Sequence, residues 1–321
     1  MDVVIVGGGL EGMAAAWALA ERGMRDVLVL ERGTVGPGAT GMSSGVVHCR
    51  YGTPSSAAMA WRSLQIFEKA EEILGASVGF RRTGHLVGVG PLDVRALEAG
   101  VAMQRALGID VYLVGRDDAA RLRPAAELKD FAAFAYEPRG GYGDAHRTAH
   151  AFGRAAMRAG ARIRQHAPVA ALTASRDRVT GVRLADGQEI AAGTVVVAAG
   201  PWSPALVAPL GVDLPDASFA SLYAGCHDAT PGFAPVIGPA GPEGLFVAAG
   251  FGGHGYATSP AVGTLIADLL CEGASTDPDV PAADFALRRF AHGRPPSPRQ
   301  AFAGTAIPFR ARSTAPRRIL L

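Results

Sequence analysis

A chain of 321 residues, 49% hydrophobic and 19% charged, is long enough for one large or two modest globular domains. A net charge of +2 excludes a polyanionic partner such as nucleic acid, and no apolar run is long enough for a membrane span. Cys49, Cys226 and Cys271 form neither a metal-binding spacing nor a disulfide framework, and a first strand starting at residue 2 leaves no room for a signal peptide, so a cytoplasmic setting is expected.

Residues 2–6, Asp-Val-Val-Ile-Val, have the β-branched run of a buried parallel strand. Gly7-Gly8-Gly9-Leu10-Glu11-Gly12 then fits G-x-G-x-x-G through Gly7, Gly9 and Gly12, residues 13–22 read as a helix, and residues 27–30 as a second strand ending at Glu31. Each part has a physical task in binding a dinucleotide. Gly7 allows the tight turn, Gly9 bares the backbone to a pyrophosphate, and Gly12 lets helix and strand pack closely. The helix N-terminus offers N–H groups to the phosphates. Glu31, nineteen residues after Gly12, is placed to accept hydrogen bonds from both ribose hydroxyls, which favours FAD or NAD over a 2′-phosphorylated cofactor.

Residues 33–45, rich in glycine, serine and threonine, read as a second cofactor loop. Val46-Val47-His48-Cys49-Arg50-Tyr51 mixes polar and aromatic groups where a site can begin, and residues 55–74 read as one long amphipathic helix. Strands are expected at 80–90, 111–114 and 132–137 and helices at 92–107 and 116–122, a block that looks like a separate α+β insertion. Residues 148–159 read as a helix. The runs 169–172, 179–184 and 188–190 resemble a meander with Asp186-Gly187 as a hairpin turn. Residues 194–203 and 244–250 are apolar strands that end in Ala-Gly. The second runs into Phe251-Gly252-Gly253-His254-Gly255-Tyr256 and a helix over 260–270, whose N-terminus can stabilise an anion such as a reduced flavin. Residues 294–321 hold six arginines and no acids and read as a basic tail.

Several of these motifs coincide. The segment 3–32, the loop 38–45, Glu137-Pro138-Arg139-Gly140-Gly141-Tyr142-Gly143-Asp144, the strand 195–203, Asp228-Ala229-Thr230-Pro231 with Pro235-Val236-Ile237-Gly238, and 250–255 stand in one order. In that order the chain resembles the D-amino-acid-oxidase-like FAD-dependent oxidoreductases, nearest to the sarcosine oxidase β-subunit and glycine oxidase type. The resemblance implies an α/β fold: a Rossmann-like FAD-binding domain of glutathione-reductase type (1–78, 143–213, 236–293) and a smaller α+β substrate domain (79–142, 214–235). It implies oxidation of an amine or amino-acid carbon–nitrogen bond by hydride transfer to flavin N5, with reoxidation by oxygen or an electron acceptor. Cofactor contacts are implied at Gly7, Gly9, Leu10, Gly12, Glu31, Arg32, Thr40, Ser43, Ser44, Gly45, Val169, Ala199, Gly200, Trp202, Gly250, Gly252, Gly253, His254 and Gly255. His48, Arg50, His254 and Tyr256 are the catalytic candidates.

The sequence also departs from that family. Gly211-Val212-Asp213-Leu214-Pro215 passes almost directly into residues 218–228, where relatives carry several more strands of the substrate domain. That shortening opens a second reading, a flavin-binding but non-catalytic subunit of a heteromeric oxidase. His48 and Ala257 stand where relatives hold the substrate carboxylate with arginine and lysine, and a neutral histidine lacks the forked donors of arginine. Gly225, beside Cys226, occupies the slot expected for a flavin thioether, and Met42 stands where a histidine linkage would, so the FAD is expected to be non-covalent.

Overall fold

The structure is a computed structural model that describes residues 1–214, 230 and 234–291. Cys226, His227, the segment 218–228 and the basic tail lie outside the described residues. The chain opens with β1 (Val3–Val6), α1 (Leu10–Glu21), β2 (Val27–Leu30), β3 (Val46–Val47), α2 (Pro54–Glu68) and α3 (Ala70–Leu74). A second block follows: β4 (Arg81–Arg82), β5 (His85–Val89), α4 (Val94–Ala106), β6 (Tyr112–Val114), α5 (Arg116–Leu122), β7 (Ala133–Glu137) and β8 (Gly141–Tyr142). The chain then runs through α6 (Ala145–Arg158), β9 (Arg162–Arg164), β10 (Val169–Ser175), β11 (Arg178–Leu184), β12 (Glu189–Ala191), β13 (Thr194–Val197) and α7 (Ser203–Val207). The last described elements are β14 (Val236–Pro239), β15 (Leu245–Ala249) and α8 (Gly255–Cys271).

The main sheet has the order β14-β15-β13-β1-β2-β9, parallel except for β14 at its edge. Both faces of β1 are buried, and the period of two sorts its side chains. Val3 and Ile5 pack with Val27, Val29 and the helices α1, α2, α6 and α8, while Val4 and Val6 pack with Leu172, Val179, Val182 and Leu184 of the β10–β12 meander. The result is three layers, with α1 and α8 crossing so closely that a Cβ on Gly263 would lie 2.4 Å from the Ala14 backbone. The two other small sheets are β3-β8-β4 and β5-β7-β6.

The α/β architecture stands, and the differences from the sequence reading are local. The helix expected over 55–74 breaks at Lys69 into α2 and α3. The strand expected over 80–90 divides at Gly84, which has φ +70° and leaves no room for a Cβ beside the Tyr136 hydroxyl. The last helix starts at Gly255 rather than at Pro260. The proline, read as an N1 residue, is internal, and the carbonyl it leaves free, Tyr256 O, accepts the Ser259 hydroxyl at 3.2 Å. Ser63 of α2 adds two more links, donating to Thr258 O and accepting from Ala261 N–H.

Candidate functional site

The C-terminal ends of β1, β2 and β13 meet at one cavity, as parallel sheets with ligands at their carboxyl edge do. Gly7 has φ +115°, and a Cβ there would lie 2.4 Å from Ala198 O. A Cβ on Gly12 would lie 2.0 Å from Gly7 O, so α1 abuts the end of β1 only because that side chain is missing. A Cβ on Gly9 would touch only Thr40 Oγ1, at 3.1 Å, which leaves its backbone bare toward the cavity. Thr40 accepts the Leu10 N–H at 3.0 Å and so caps α1 from the second loop, a task that Gly9 at the N-cap cannot perform.

Glu31 is buried at the end of β2. Its Oε2 accepts Gly8 N–H at 2.7 Å and its Oε1 accepts Gly33 N–H at 2.8 Å. The carboxylate therefore locks the glycine turn to the following loop, and only its remaining lone pairs are open to a ribose. The cavity, about 350 Å³, is lined by Gly7, Gly9, Glu31, Arg32, Thr40, Val169, Ala199, Gly200 and Trp202 from the expected set, with Glu11, residues 36–39 and Pro168 added. The Arg32 guanidinium stacks 3.8 Å from the ring centroid of half-exposed Trp202 and forms part of its wall. A dinucleotide fits this lining: bare glycine backbone and the first turn of α1 for phosphates, an acid for the ribose, and flat walls at Val169 and Trp202 for a base.

The other expected cofactor residues have different surroundings. The Ser43 hydroxyl accepts Gly45 N–H at 3.2 Å, Ser44 is exposed, and Gly45 at φ +69° lies against Gly143 O with no room for a Cβ. Gly250, Gly252 and Gly253 all have positive φ, and a Cβ on Gly255 would lie 2.5 Å from Glu11 Oε1. Because Glu11 lines the cavity, the start of α8 meets its edge.

A second cluster lies where β3 leads into α2. Four rings form a row. His85 stacks on His48 at 4.7 Å and 16°, His48 on Tyr51 at 5.3 Å and 27°, and Tyr51 meets His254 edge-on at 5.3 Å. Arg50 N–H donates to His48 Nδ1 at 3.2 Å, which leaves the neutral ring with its hydrogen on Nε2. Burial, then His85, His254 and Arg50, holds His48 well below the ordinary histidine value, and burial with Arg50 and Arg123 brings His85 to about 4. The Tyr51 hydroxyl and His85 Nδ1 are buried without hydrogen-bond partners among the described residues, which costs on the order of 1–3 kcal/mol for each.

The depressed histidines set a pH dependence. Their folded pKa values lie below the unfolded 6.5, so their contribution to stability is whole above pH 6.5 and is lost as pH falls below it, for His85 down to its folded value of about 4. His85 alone accounts for at most about 3 kcal/mol of that loss. Urea unfolding at pH 7.5 and 4.5 is expected to show the drop, and His85→Gln should flatten it.

Glu137, at the end of β7, holds this cluster in place. It is buried, Oε2 accepts Cys49 N–H at 2.7 Å and Oε1 accepts Gln104 Nε2 at 3.0 Å. Burial raises its pKa against those two hydrogen bonds, and burial beside it pushes the Cys49 thiol far up, so Cys49 is no nucleophile. Tyr256, expected among catalytic residues, is committed to packing. Its ring stacks on Phe67 at 5.1 Å, its hydroxyl pairs with Thr148 Oγ1 at 3.2 Å, and its pKa is pushed up to about 12. Asp144 caps α6 by accepting Arg147 N–H. His48 and His254 thus come together through Tyr51, while Tyr51, His85 and Glu137 are additions the sequence reading did not single out as site residues. Tyr51 closes a polar and aromatic run, His85 lies inside an expected strand, and Glu137 opens a glycine-rich turn.

The family model "FAD dependent oxidoreductase" (DAO) matches residues 2–221 and 213–269. The chain is 30% identical over 225 residues to sarcosine oxidase subunit beta of Arthrobacter sp, covering 67% of this chain and 54% of that one. It is 28% identical over 216 residues to human (Homo sapiens) mitochondrial dimethylglycine dehydrogenase, covering 67% of this chain and 25% of that one. The chain therefore spans only a quarter to about half the length of these relatives. In fold it is similar to L-proline dehydrogenase from P. horikoshii, with a TM-score of 0.82 at 21% identity, covering 91% of this chain and 98% of that one. With glycine cradle, Glu31 and cavity in place and most of its length matched by one model, the chain belongs to the DAO family of FAD-dependent oxidoreductases.

Proposed function

We propose that this chain binds FAD non-covalently and oxidises the carbon–nitrogen bond of an amine or amino acid, a secondary amine such as an N-methyl amino acid or a D-amino acid. The observation that carries the reading is the cavity at the ends of β1, β2 and β13, whose bare Gly9, Thr40-capped α1 and Glu31 suit a dinucleotide. Bound there, FAD supplies the hydride acceptor, and the substrate leaves as an imine that water hydrolyses. The chain's own residues divide the work. Gly7, Gly9 and the start of α1 receive the phosphates, and Arg32 stacked on Trp202 walls the cavity. His48, Arg50 and His254 line the substrate side, with Glu137 holding the segment from His48 to Arg50 through Cys49 N–H.

The sarcosine oxidase relative is a β-subunit, which supports a hetero-oligomer as the working assembly. Cys49 and Cys271 are free thiols, which suits a reducing cytoplasm, and no described helix is long and apolar enough to cross a membrane. The division into 1–78, 143–213 and 236–293 for cofactor and 79–142 and 214–235 for substrate is part of the same proposal.

The test is the visible spectrum of the purified protein, followed by anaerobic addition of secondary amines and amino acids. Flavin bands that bleach with one substrate class are the expected result. Bands that persist with every amine favour the second reading, a cofactor-binding subunit without its own turnover, which the short passage from Pro215 to residues 218–228 motivates. A colourless protein that takes up no FAD sinks both.

A further inference from the structure

We infer that β5 is a docking edge whose partner is a second copy of this chain, the two strands pairing antiparallel about a two-fold axis through Val87. The inference goes beyond the proposed chemistry and does not depend on it.

A strand at the edge of a sheet offers a row of free N–H and C=O groups, and proteins ordinarily blunt such edges. The other described edges follow that practice. β9 carries the exposed Arg162 and Arg164. β14 ends at Pro239, and its Ile237 N–H is taken by Phe285 O at 2.8 Å. β10 breaks register with β11 in two places, and α7 packs on it. β3, β4, β6 and β12 are only two or three residues long. Among the described edges, β5 has none of these devices. It runs through five residues, His85-Leu86-Val87-Gly88-Val89, with no lysine, arginine, acid or proline. Its register with β7 is regular throughout, and no described strand pairs with its other side. His85 to Gly88 are only half-buried.

The sequence of this edge suits itself. In the inferred pairing Val87 faces Val87, Leu86 faces Gly88 and His85 faces Val89 of the other copy. Residues that face each other across a ladder share one side of the sheet. The side on which Val87 and Val89 pack with Leu97 and Val101 of α4 therefore continues from one copy into the next. A valine opposite a valine is a favourable cross-strand pair. Leu86 opposite a glycine meets no crowding, and the Phe131 ring gives it an apolar wall. That ring covers Gly88 so closely that a Cβ there would lie 2.8 Å from it. A pairing one residue out of register would set each apolar side against the opposite one.

The flanks agree. Beyond the ladder the same axis carries residues 91–93 of one copy toward residues 81–83 of the other. Leu92, 98% exposed, gains cover. Asp93, which acts on Arg50 in its own chain, comes toward Arg81, an exposed arginine whose guanidinium has no partner among the described residues. A five-residue ladder is a small interface, so a micromolar dimer is expected and not an obligate one.

The test is sedimentation of the FAD-loaded full chain across micromolar concentrations, with hydrogen–deuterium exchange over residues 85–89. A monomer–dimer equilibrium is expected, with β5 amides that slow as concentration rises. Val87→Lys sets two lysines against each other on the axis and should weaken the dimer at least tenfold. Arg81→Glu should do the same by facing Asp93 with a like charge. It acts from an exposed position, so it serves where Val87→Lys fails to fold. A dimer unchanged in Arg81→Glu, or in a folded Val87→Lys, pairs through another surface and overturns the inference. A monomer at every concentration overturns it too. Slow β5 amides in that monomer would mean that the chain's own residues 215–229 cover the edge, and fast ones that the edge stays bare.

Discussion

Gly12→Val is expected to give a protein that is mostly insoluble and, in whatever fraction folds, free of FAD. The Cβ it adds would sit 2.0 Å from the Gly7 carbonyl oxygen and 3.4 Å from Ile5 Cγ2. The first obstacle is backbone, so no rotamer change relieves it. α1 would have to lift away from the end of β1, and α1 also packs against α6 and α8, so the shift spreads through the helical layer. Overpacking of a core costs about 1–3 kcal/mol, and a clash with fixed backbone belongs in the tail beyond about 4 kcal/mol, a large fraction of a domain's stability. The cofactor loses its site by the same movement. The Leu10 N–H leaves Thr40 and the bare face of Gly9 turns from the cavity. The check is soluble yield, Tm, and flavin absorbance relative to protein, with Gly9→Ala as the contrast. The Cβ of Gly9→Ala meets only a hydroxyl at 3.1 Å, so it should fold while binding FAD more weakly.

Gly12 and Gly9 were legible in the sequence because the glycine turn is a local device, with strand, turn, helix and acid all within thirty-two consecutive residues. The meander was legible for the same reason, its Asp186-Gly187 turn closing with Gly187 at φ +88°. β9 was not, since Arg162-Ile163-Arg164 is an edge strand whose two arginines are exposed, and only its pairing with β2 makes it a strand. α7 and β14 were missed because proline and glycine flank them and no periodic run marks them. The start of α8 was misplaced because Pro260 gives the signal of a first helical residue, and the hydroxyl of Ser259 that compensates it is a contact, not a pattern. The site divides in the same way. His48 and Arg50 stand in a suggestive run, but His85 reaches His48 from thirty-seven residues away across a different sheet, and no spacing rule predicts that stack.

Glu137 is the residue whose loss should show how much the site depends on such long-range contacts. Glu137→Ala removes the acceptor of two buried donors, Cys49 N–H and Gln104 Nε2, and opens a cavity between α4 and the segment after β3. Each stranded donor costs on the order of 1–3 kcal/mol and the cavity adds to that, so about 3–5 kcal/mol is expected in urea unfolding. Glu137→Gln should behave differently. Its amide oxygen can keep the Cys49 N–H, its NH₂ can face position 104, and the Gln104 amide can turn to present its own oxygen, so the loss should stay near 1 kcal/mol. Burial has raised the Glu137 pKa above the ordinary carboxylate value, so the favourable contribution of its protonated form is present at low pH and lost as pH rises through the folded pKa. The neutral amide does not titrate. Glu137→Gln should therefore compare best with wild type near neutral pH and worst in acid, whereas a plain packing role would give the same difference at every pH. The site effect separates the two variants as well. Cys49 lies between His48 and Arg50, so freeing its N–H in Glu137→Ala lets that segment shift and disorders the ring row, while Glu137→Gln keeps it. Amine-dependent flavin bleaching is expected to fall at least tenfold in Glu137→Ala and to stay within a few-fold of wild type in Glu137→Gln. Equal losses in the two variants would show that the charge of Glu137, and not its grip on Cys49, is what the site requires.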